Sequence, residues 1–275
     1  MAFFYLLGSL GSYQSFGAVL LSEDQTVIFD GGLMEEASQI LTLLESNGRD
    51  RVDAWFFTHP HHDHIGAFFA LHNQKKVPPL GRLYAAFPDQ ETLERCPAHR
   101  AHGGVEREMW NALPDVLAQY KDRYTPICRG DAFSFGEVRV RVLRTINPNF
   151  DVKRNFINNS SAVLMIEGPK KKILLLGDLG EEGGEELLRM YPPEALRADY
   201  TQMAHHGQLG VNRSFYEAVR PACCLWPTPA CIWENDGGAG PDTGKWKTLE
   251  TRKWMEEMGV REHLVAKDGT ARIEI

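Results

Sequence analysis

Of the five side chains able to bind a metal within six residues of this chain, four are taken as candidate ligands. They are His59, His61, Asp63 and His64, in the run His59-Pro60-His61-His62-Asp63-His64. Neutral imidazoles with a carboxylate suit zinc, iron or manganese. A regular strand or helix would splay some of these side chains apart, whereas a turn after a strand can converge them. Three more polar turns close apolar runs: Asp30-Gly31-Gly32, Gly177-Asp178, and His205-His206-Gly207. An Asp-Gly turn alone is usually only a turn. Four polar strand ends in one chain, one of them rich in histidine, predict a metal centre at a sheet edge. A cation held there would acidify water for attack on a phosphoryl or acyl centre.

The elements that must position these residues are legible from periodicity. Apolar runs at 18–21 and 26–29 flank a polar turn and predict a hairpin. Leu33, Ala37, Ile40, Leu41 and Leu44 recur at helical spacing, and Asn47-Gly48 closes that helix. A strand over 52–57 runs into the histidine-rich loop, and a helix is expected over 65–71. Strand, polar loop and helix in that order place ligands at the carboxyl edge of a sheet. Residues 135–143 alternate as one half-buried strand. Residues 161–167 and 172–176 form a strand pair, followed by a helix at 185–190 and a strand at 200–204. The tail predicts a helix over 248–258 and a hairpin turning at Lys267-Asp268-Gly269. The segment at about 88–130, with a helix over 105–120, reads as an insertion in a single α/β domain spanning 1–275.

Composition narrows the function classes. The 275 residues are 43% hydrophobic and 24% charged, an ordinary globular balance, with net charge -7. An acidic chain is a poor general binder of nucleic acid, and Lys170-Lys171-Lys172 is its only basic run. The five cysteines are odd in number and show no disulfide spacing, which suits a reducing cytoplasm. The apolar start, Met1 to Leu7, lacks a basic region and is broken by Gly8, so it reads as a strand rather than a signal peptide. No apolar stretch reaches membrane-spanning length. A small-molecule substrate without a membrane partner is the expectation.

The run His59-Pro60-His61-His62-Asp63-His64 matches the His-x-His-x-Asp-His signature of the metallo-β-lactamase superfamily, which the chain resembles over nearly its whole length. The resemblance implies an αββα four-layer sandwich with its site along one edge of the paired sheets. It also implies one or two divalent metal ions, zinc first, then manganese or iron. His59 and His61 would hold one metal. Asp63, His64 and one of His205 and His206 would hold the other, with Asp178 bridging. Asp63, Asp178 and His206 would thus be the catalytic residues. The spare histidine of the 205–206 pair would serve the leaving group as a general acid. Asp30 would support the histidine loop. A closer similarity, to the soluble hydrolase domain of bacterial DNA-uptake channel proteins and their stand-alone relatives, is carried by Asn158 to Leu164, Leu175 to Leu179 and Ala204 to Gly207. Where most of the superfamily has a further histidine, this chain has Asn159, Ser160 and Ser161, taken here as supporting residues. His99 and His102, in the insertion, are candidate substitutes.

The leading expectation is a metal-dependent hydrolase of a phosphoester or related ester. The alternatives are a nuclease of the DNA-uptake kind and a non-catalytic metal- or ligand-binding protein on the same fold.

Overall fold

The computed structural model describes residues 1–96, 104–151 and 154–275. A first sheet holds β1 (Ala2–Leu6), β2 (Gly17–Ser22), β3 (Gln25–Asp30), β4 (Val52–Phe56), β5 (Leu80–Ala85), β6 (Tyr124–Pro126) and β14 (Ala271–Glu274). A second holds β7 (Ala132–Phe135), β8 (Val138–Arg144), β9 (Val163–Glu167), β10 (Lys172–Leu175), β11 (Tyr200–Gln202), β12 (Cys223–Trp226) and β13 (Glu262–Val265). The strand orders are β14-β1-β2-β3-β4-β5-β6 and β13-β12-β11-β10-β9-β8-β7. Each sheet is antiparallel in one half and parallel in the other. The parallel blocks are β3 to β6 and β10 to β13. Their strands read as continuous apolar runs because both faces are covered.

Alternation along the strands decides what lies between the sheets. Phe4, Phe29 and Phe56 from the first sheet meet Val140, Leu164, Ile173 and their neighbours from the second. Phe56 stacks on Phe29 with centroids 5.5 Å apart, and meets Phe133 and Phe135 of β7 edge-on. Helices α1 (Ala37–Ser46) and α2 (His62–Asn73) cover the outer face of the first sheet. The longer of the two following helices, α3 (Gln90–Arg95) and α4 (Val105–Gln119), joins them there. Helices α5 (Glu181–Met190), α6 (Arg213–Val219) and α7 (Thr248–Glu257) cover the second. Helix, sheet, sheet, helix is the αββα sandwich.

Three local expectations change. Helix α2 begins at His62 rather than Ile65. His61 is the last extended residue, and Asp63 sits in the first turn, where the exposed helix N–H groups favour a carboxylate. The stretch 135–143 is not one strand, because Phe135 ends β7 and Gly136, at φ 55°, turns the chain into β8. The tail hairpin does not form. β13 pairs with β12 in one sheet and β14 with β1 in the other, so the 3-10 turn Ala266–Asp268 crosses between layers. The alternation of each strand was readable, but not the sheet that would complete it. His99 and His102 lie outside the described residues.

Because Phe56 is fully buried between the sheets, Phe56→Ala should destabilise the fold by about 3–5 kcal/mol. Urea denaturation of the variant measures this. A cost below about 1 kcal/mol would contradict the inter-sheet packing described.

Candidate metal centre

Four strand ends of the two parallel blocks meet at one edge of the sandwich. Asp30 ends β3, Thr58 to Asp63 follow β4, Asp178 follows β10, and His206 follows β11. The edge is stitched across the sheets by backbone bonds from Ala162 N–H to Thr58 O (2.8 Å) and, within the second sheet's loops, from His205 N–H to Gly177 O (3.1 Å). Gly177 permits the turn into Asp178. Its φ is +56°, and a Cβ there would lie 3.0 Å from Thr58 Oγ1 and 2.9 Å from Ser161 Oγ.

Asp30, fully buried, orders the histidines from outside. Its Oδ1 accepts from Thr58 N–H and its Oδ2 from Thr58 Oγ1, both at 2.7 Å. The same Oδ2 lies 2.7 Å from His64 Nδ1. Thr58 Oγ1 is in turn 3.1 Å from His59 Nδ1. His206 Nδ1–H donates to Pro227 O at 2.9 Å. With the outer nitrogen of each ring so engaged, Nε2 of His59, His64 and His206 faces inward.

Asp178 receives them. Its Oδ1 is 3.0 Å from His64 Nε2, and its Oδ2 is 3.4 Å from His206 Nε2 and 3.7 Å from His59 Nε2. Asp63 Oδ2 is 3.2 Å from His206 Nε2. Two groups of ligand atoms result, Asp63, His64, Asp178 and His206 in one, His59, His61 and Asp178 in the other. The atoms of each lie within 4.8 Å of one another. Asp178 belongs to both.

The site's electrostatics follow from these contacts. Burial alone would lower the His64 pKa, but the Asp178 and Asp30 carboxylates outweigh it and hold it well above the ordinary value. His206 likewise resists the effect of burial and is pushed up to about 9 by Asp178 and Asp63. Burial would raise the Asp178 and Asp63 carboxyls, yet the neighbouring imidazoles keep both below the carboxylate range. His59 and His61 go the other way, lowered chiefly by burial. A buried carboxylate pair that draws protons onto two imidazoles attracts any cation.

The donor set fits a divalent metal. His64 Nε2, His206 Nε2 and both oxygens of Asp178 are buried without a hydrogen bond. His64 Nε2 and His206 Nε2 stand 3.0 and 3.4 Å from the Asp178 oxygens. Leaving such groups unsatisfied costs about 1–3 kcal/mol each, and more for charged ones. Buried atoms that miss one another while converging on common points are arranged as ligands are. Nitrogen and oxygen donors of this kind suit zinc, manganese or iron.

Placement of the remaining expected residues is uneven. His205, named beside His206 as a ligand, falls outside both groups. Both residues have left-handed backbones (φ 52° and 55°), and the sharp turn leaves only His206 directed to the centre. Ser161 Oγ accepts from the Asp178 N–H at 3.0 Å and so does support the site. Ser160 Oγ instead donates to Ile157 O, and Asn159 Oδ1 accepts from the Gly180 and Gly183 N–H groups at the start of α5. Arg144, Glu106 and Trp110 were missed. Arg144, 1% exposed, donates to the carbonyls of Asn159 and Ser161 and pairs with Glu186, pinning the loop at 159–161. Its one sequence signal is that it shares the parity of Val138, Val140 and Val142. Glu106 and Trp110, four apart on α4, contact the loop at 60–62. No sequence signal linked them to it.

Comparison with known proteins agrees with this fold. The family model of the metallo-beta-lactamase superfamily matches residues 12–153, a little over half of the chain, and the chain belongs to that superfamily. It is 26% identical over 190 residues to ComE operon protein 3 of Bacillus subtilis (strain 168). That match covers 68% of this chain and 21% of the relative, so the chain spans about a fifth of the relative's length. The metallo-beta-lactamase fold protein YhfI of Bacillus subtilis superposes with a TM-score of 0.58 at 15% identity over the whole of both chains. A diphosphatase of the PhnP family superposes with a TM-score of 0.51 at 12% identity, covering all of this chain and 98% of that one. Both share the fold. Asp178 and His206 lie beyond the matched segment, so the geometry alone brings them to the histidine run.

The charge pattern predicts how metal-stripped protein responds to pH. The raised pKa values of His206 and His64 make contributions that are full below 6.5 and lost as pH rises, for His206 through about 9. The lowered values of His59 and His61 make contributions that are lost as pH falls below 6.5. Calorimetry in chelator should therefore show a melting temperature that falls as pH rises from 6.5 to 9. A rise over that interval would refute the assignment.

Proposed function

We propose that this chain is a metal-dependent hydrolase acting on a phosphoester or related ester. The observation that carries the reading is Asp178, a buried carboxylate with no hydrogen bond to either oxygen, standing between two groups of ligand atoms. Three of its four imidazole neighbours are oriented from outside. Asp30 and Thr58 hold His59 and His64, and the Pro227 carbonyl holds His206. His59, His61 and Asp178 would hold one cation, and Asp63, His64, Asp178 and His206 the other. The chemistry divalent cations supply in such a cradle is Lewis acidity, which acidifies water and polarises a phosphoryl or acyl oxygen.

The residues supply orientation and protons. Asp63 and Asp178 keep their charge, because imidazoles surround them, and so carry negative charge toward the centre at any pH near neutrality. His205 is half-buried, its ring centroid 6.1 Å from that of His206 and its Nδ1 without a hydrogen bond. As the histidine of the 205–206 pair that belongs to neither group of ligand atoms, it is our candidate general acid for the leaving group.

A small substrate is favoured over a polynucleotide. The one basic run offers no free cationic tract, since Lys170, Lys171 and Lys172 pair with Glu274, Asp199 and Glu167. All five cysteines are unpaired thiols, which supports work in a reducing cytoplasm. Among the described residues no helix is long and apolar enough to cross a membrane.

Zinc- or manganese-loaded protein should hydrolyse bis(p-nitrophenyl) phosphate or p-nitrophenyl phosphate faster than it cuts single- or double-stranded DNA. Asp178→Ala should lose both metal equivalents, read by elemental analysis. Its turnover should fall on the order of 10²–10³-fold, the equivalent of several kcal/mol of lost Lewis-acid stabilisation. Full turnover in that variant would sink the mechanism. DNA cleavage outrunning the small esters would favour the nuclease, and no turnover across phosphoester, thioester and lactone panels the non-catalytic binder.

A further inference from the structure

Helix α4 reaches the metal centre from the segment that the sequence sets apart as an insertion. Glu106 and Trp110 are four residues apart and share one face of it. Both are buried. The Trp110 ring lies nearly parallel to that of His61, with centroids 5.9 Å apart, and its Nε1–H donates to the Pro60 carbonyl. Glu106 Oε1 lies 3.7 Å from His61 Nε2 and 3.6 Å from His62 Nδ1. The opposite nitrogen of the His61 ring, Nδ1, is 3.0 Å from His59 Nε2. His61 therefore presents Nδ1 to the centre and Nε2 to Glu106. That is the reverse of His59, His64 and His206, whose Nε2 atoms face inward.

We propose that Glu106 is a positioning residue that holds the proton of His61 on Nε2, leaving the Nδ1 lone pair for the metal position shared with His59 and Asp178. The assignment rests on His61 serving as a ligand. A neutral imidazole carries one proton, and a carboxylate beside one ring nitrogen decides where it sits. At 3.7 Å the contact is too long for a full hydrogen bond, but a whole charge at that distance in a buried site biases the proton by more than thermal energy. Glu106 sits in the first turn of α4, where the exposed helix N–H groups favour a carboxylate. Glu106 belongs to neither group of ligand atoms and faces both His61 and His62, whose pKa it raises; of the two only His61 is in a ligand group, and through it Glu106 reaches the centre. The consequence is uneven. The position formed by His59, His61 and Asp178 has three side chains, and the other has four. Disordering one donor of three weakens the first position and leaves the second alone. Trp110 works with Glu106, one fixing the proton and the other the plane of the ring.

Two measurements test this. In metal-stripped protein with nitrogen-15 histidine, long-range proton–nitrogen correlations should show His61 protonated on Nε2, and Glu106→Ala should convert it to a mixture of tautomers. In a zinc titration against a chromogenic chelator, wild type should bind two equivalents. Glu106→Ala should bind one of them about 10–100-fold more weakly, with the other unchanged and Glu106→Asp partly restored. Unchanged tautomer and affinities would overturn the proposal. So would equal weakening of both equivalents with a lowered melting temperature, which marks a merely structural role. Wild-type protein that binds no zinc would refute the metal centre itself, while the tautomer measurement would still decide what Glu106 does to His61.

Discussion

A carboxylate sealed inside a protein with neither oxygen hydrogen-bonded is among the costlier things a fold can contain, because a buried charge without a partner loses its hydration and gains nothing. Asp178 comes near that state: it is 1% exposed and neither oxygen is hydrogen-bonded, though both face the imidazole nitrogens of His59, His64 and His206. Much of the surrounding structure can be understood as what makes this position tolerable. Ser161 fixes the backbone before the side chain, Gly177 takes the left-handed turn that aims it, and His64 and His206 carry positive charge in answer. The arrangement is stable with protons and better completed by cations, since either one neutralises the same cluster of negative charge.

The sandwich brings that carboxylate to the histidines by joining two similar halves. Each sheet runs from an antiparallel meander into a parallel block, and the carboxyl ends of both parallel blocks open onto one edge. Ligands in α/β sheets gather at such ends because the loops there face outward from ordered strands. The first sheet contributes the histidine run, held by Asp30 and Thr58. The second contributes Asp178 and His206. Neither half has a centre without the other, so the packing between the sheets, dominated by Phe29, Phe56 and the β7 phenylalanines, also sets the distances at the edge.

Two supports flank the centre. A buried Arg144 holds the carbonyls of the loop at 159–161, while the Asn159 side chain turns away to the start of α5. On the other side, α4 lays Trp110 along His61 and Glu106 against its outer nitrogen. One side of the centre is held through a loop backbone, and the other by a helix against an imidazole.

Local pattern carried much of this into view. His-x-His-x-Asp-His is a cluster in sequence before it is one in space, and Asp30, Asp178 and the His205-His206 pair are marked by the apolar runs they end. Strand alternation and helical spacing are properties of neighbouring residues, so β1 to β4, α1 and the core faces could be read directly. The rest depends on contacts between distant parts of the chain. Whether β13 and β14 pair with each other or with separate sheets is decided by which open edge each one meets. Which of two adjacent histidines turns inward is decided by a left-handed backbone that only the packed turn imposes. Glu106 and Arg144 look like ordinary surface charges in the sequence. They become parts of the site because a helix and a strand end bury them against loops distant in the sequence, Glu106 against His61 and Arg144 against Asn159, and periodicity has no record of that.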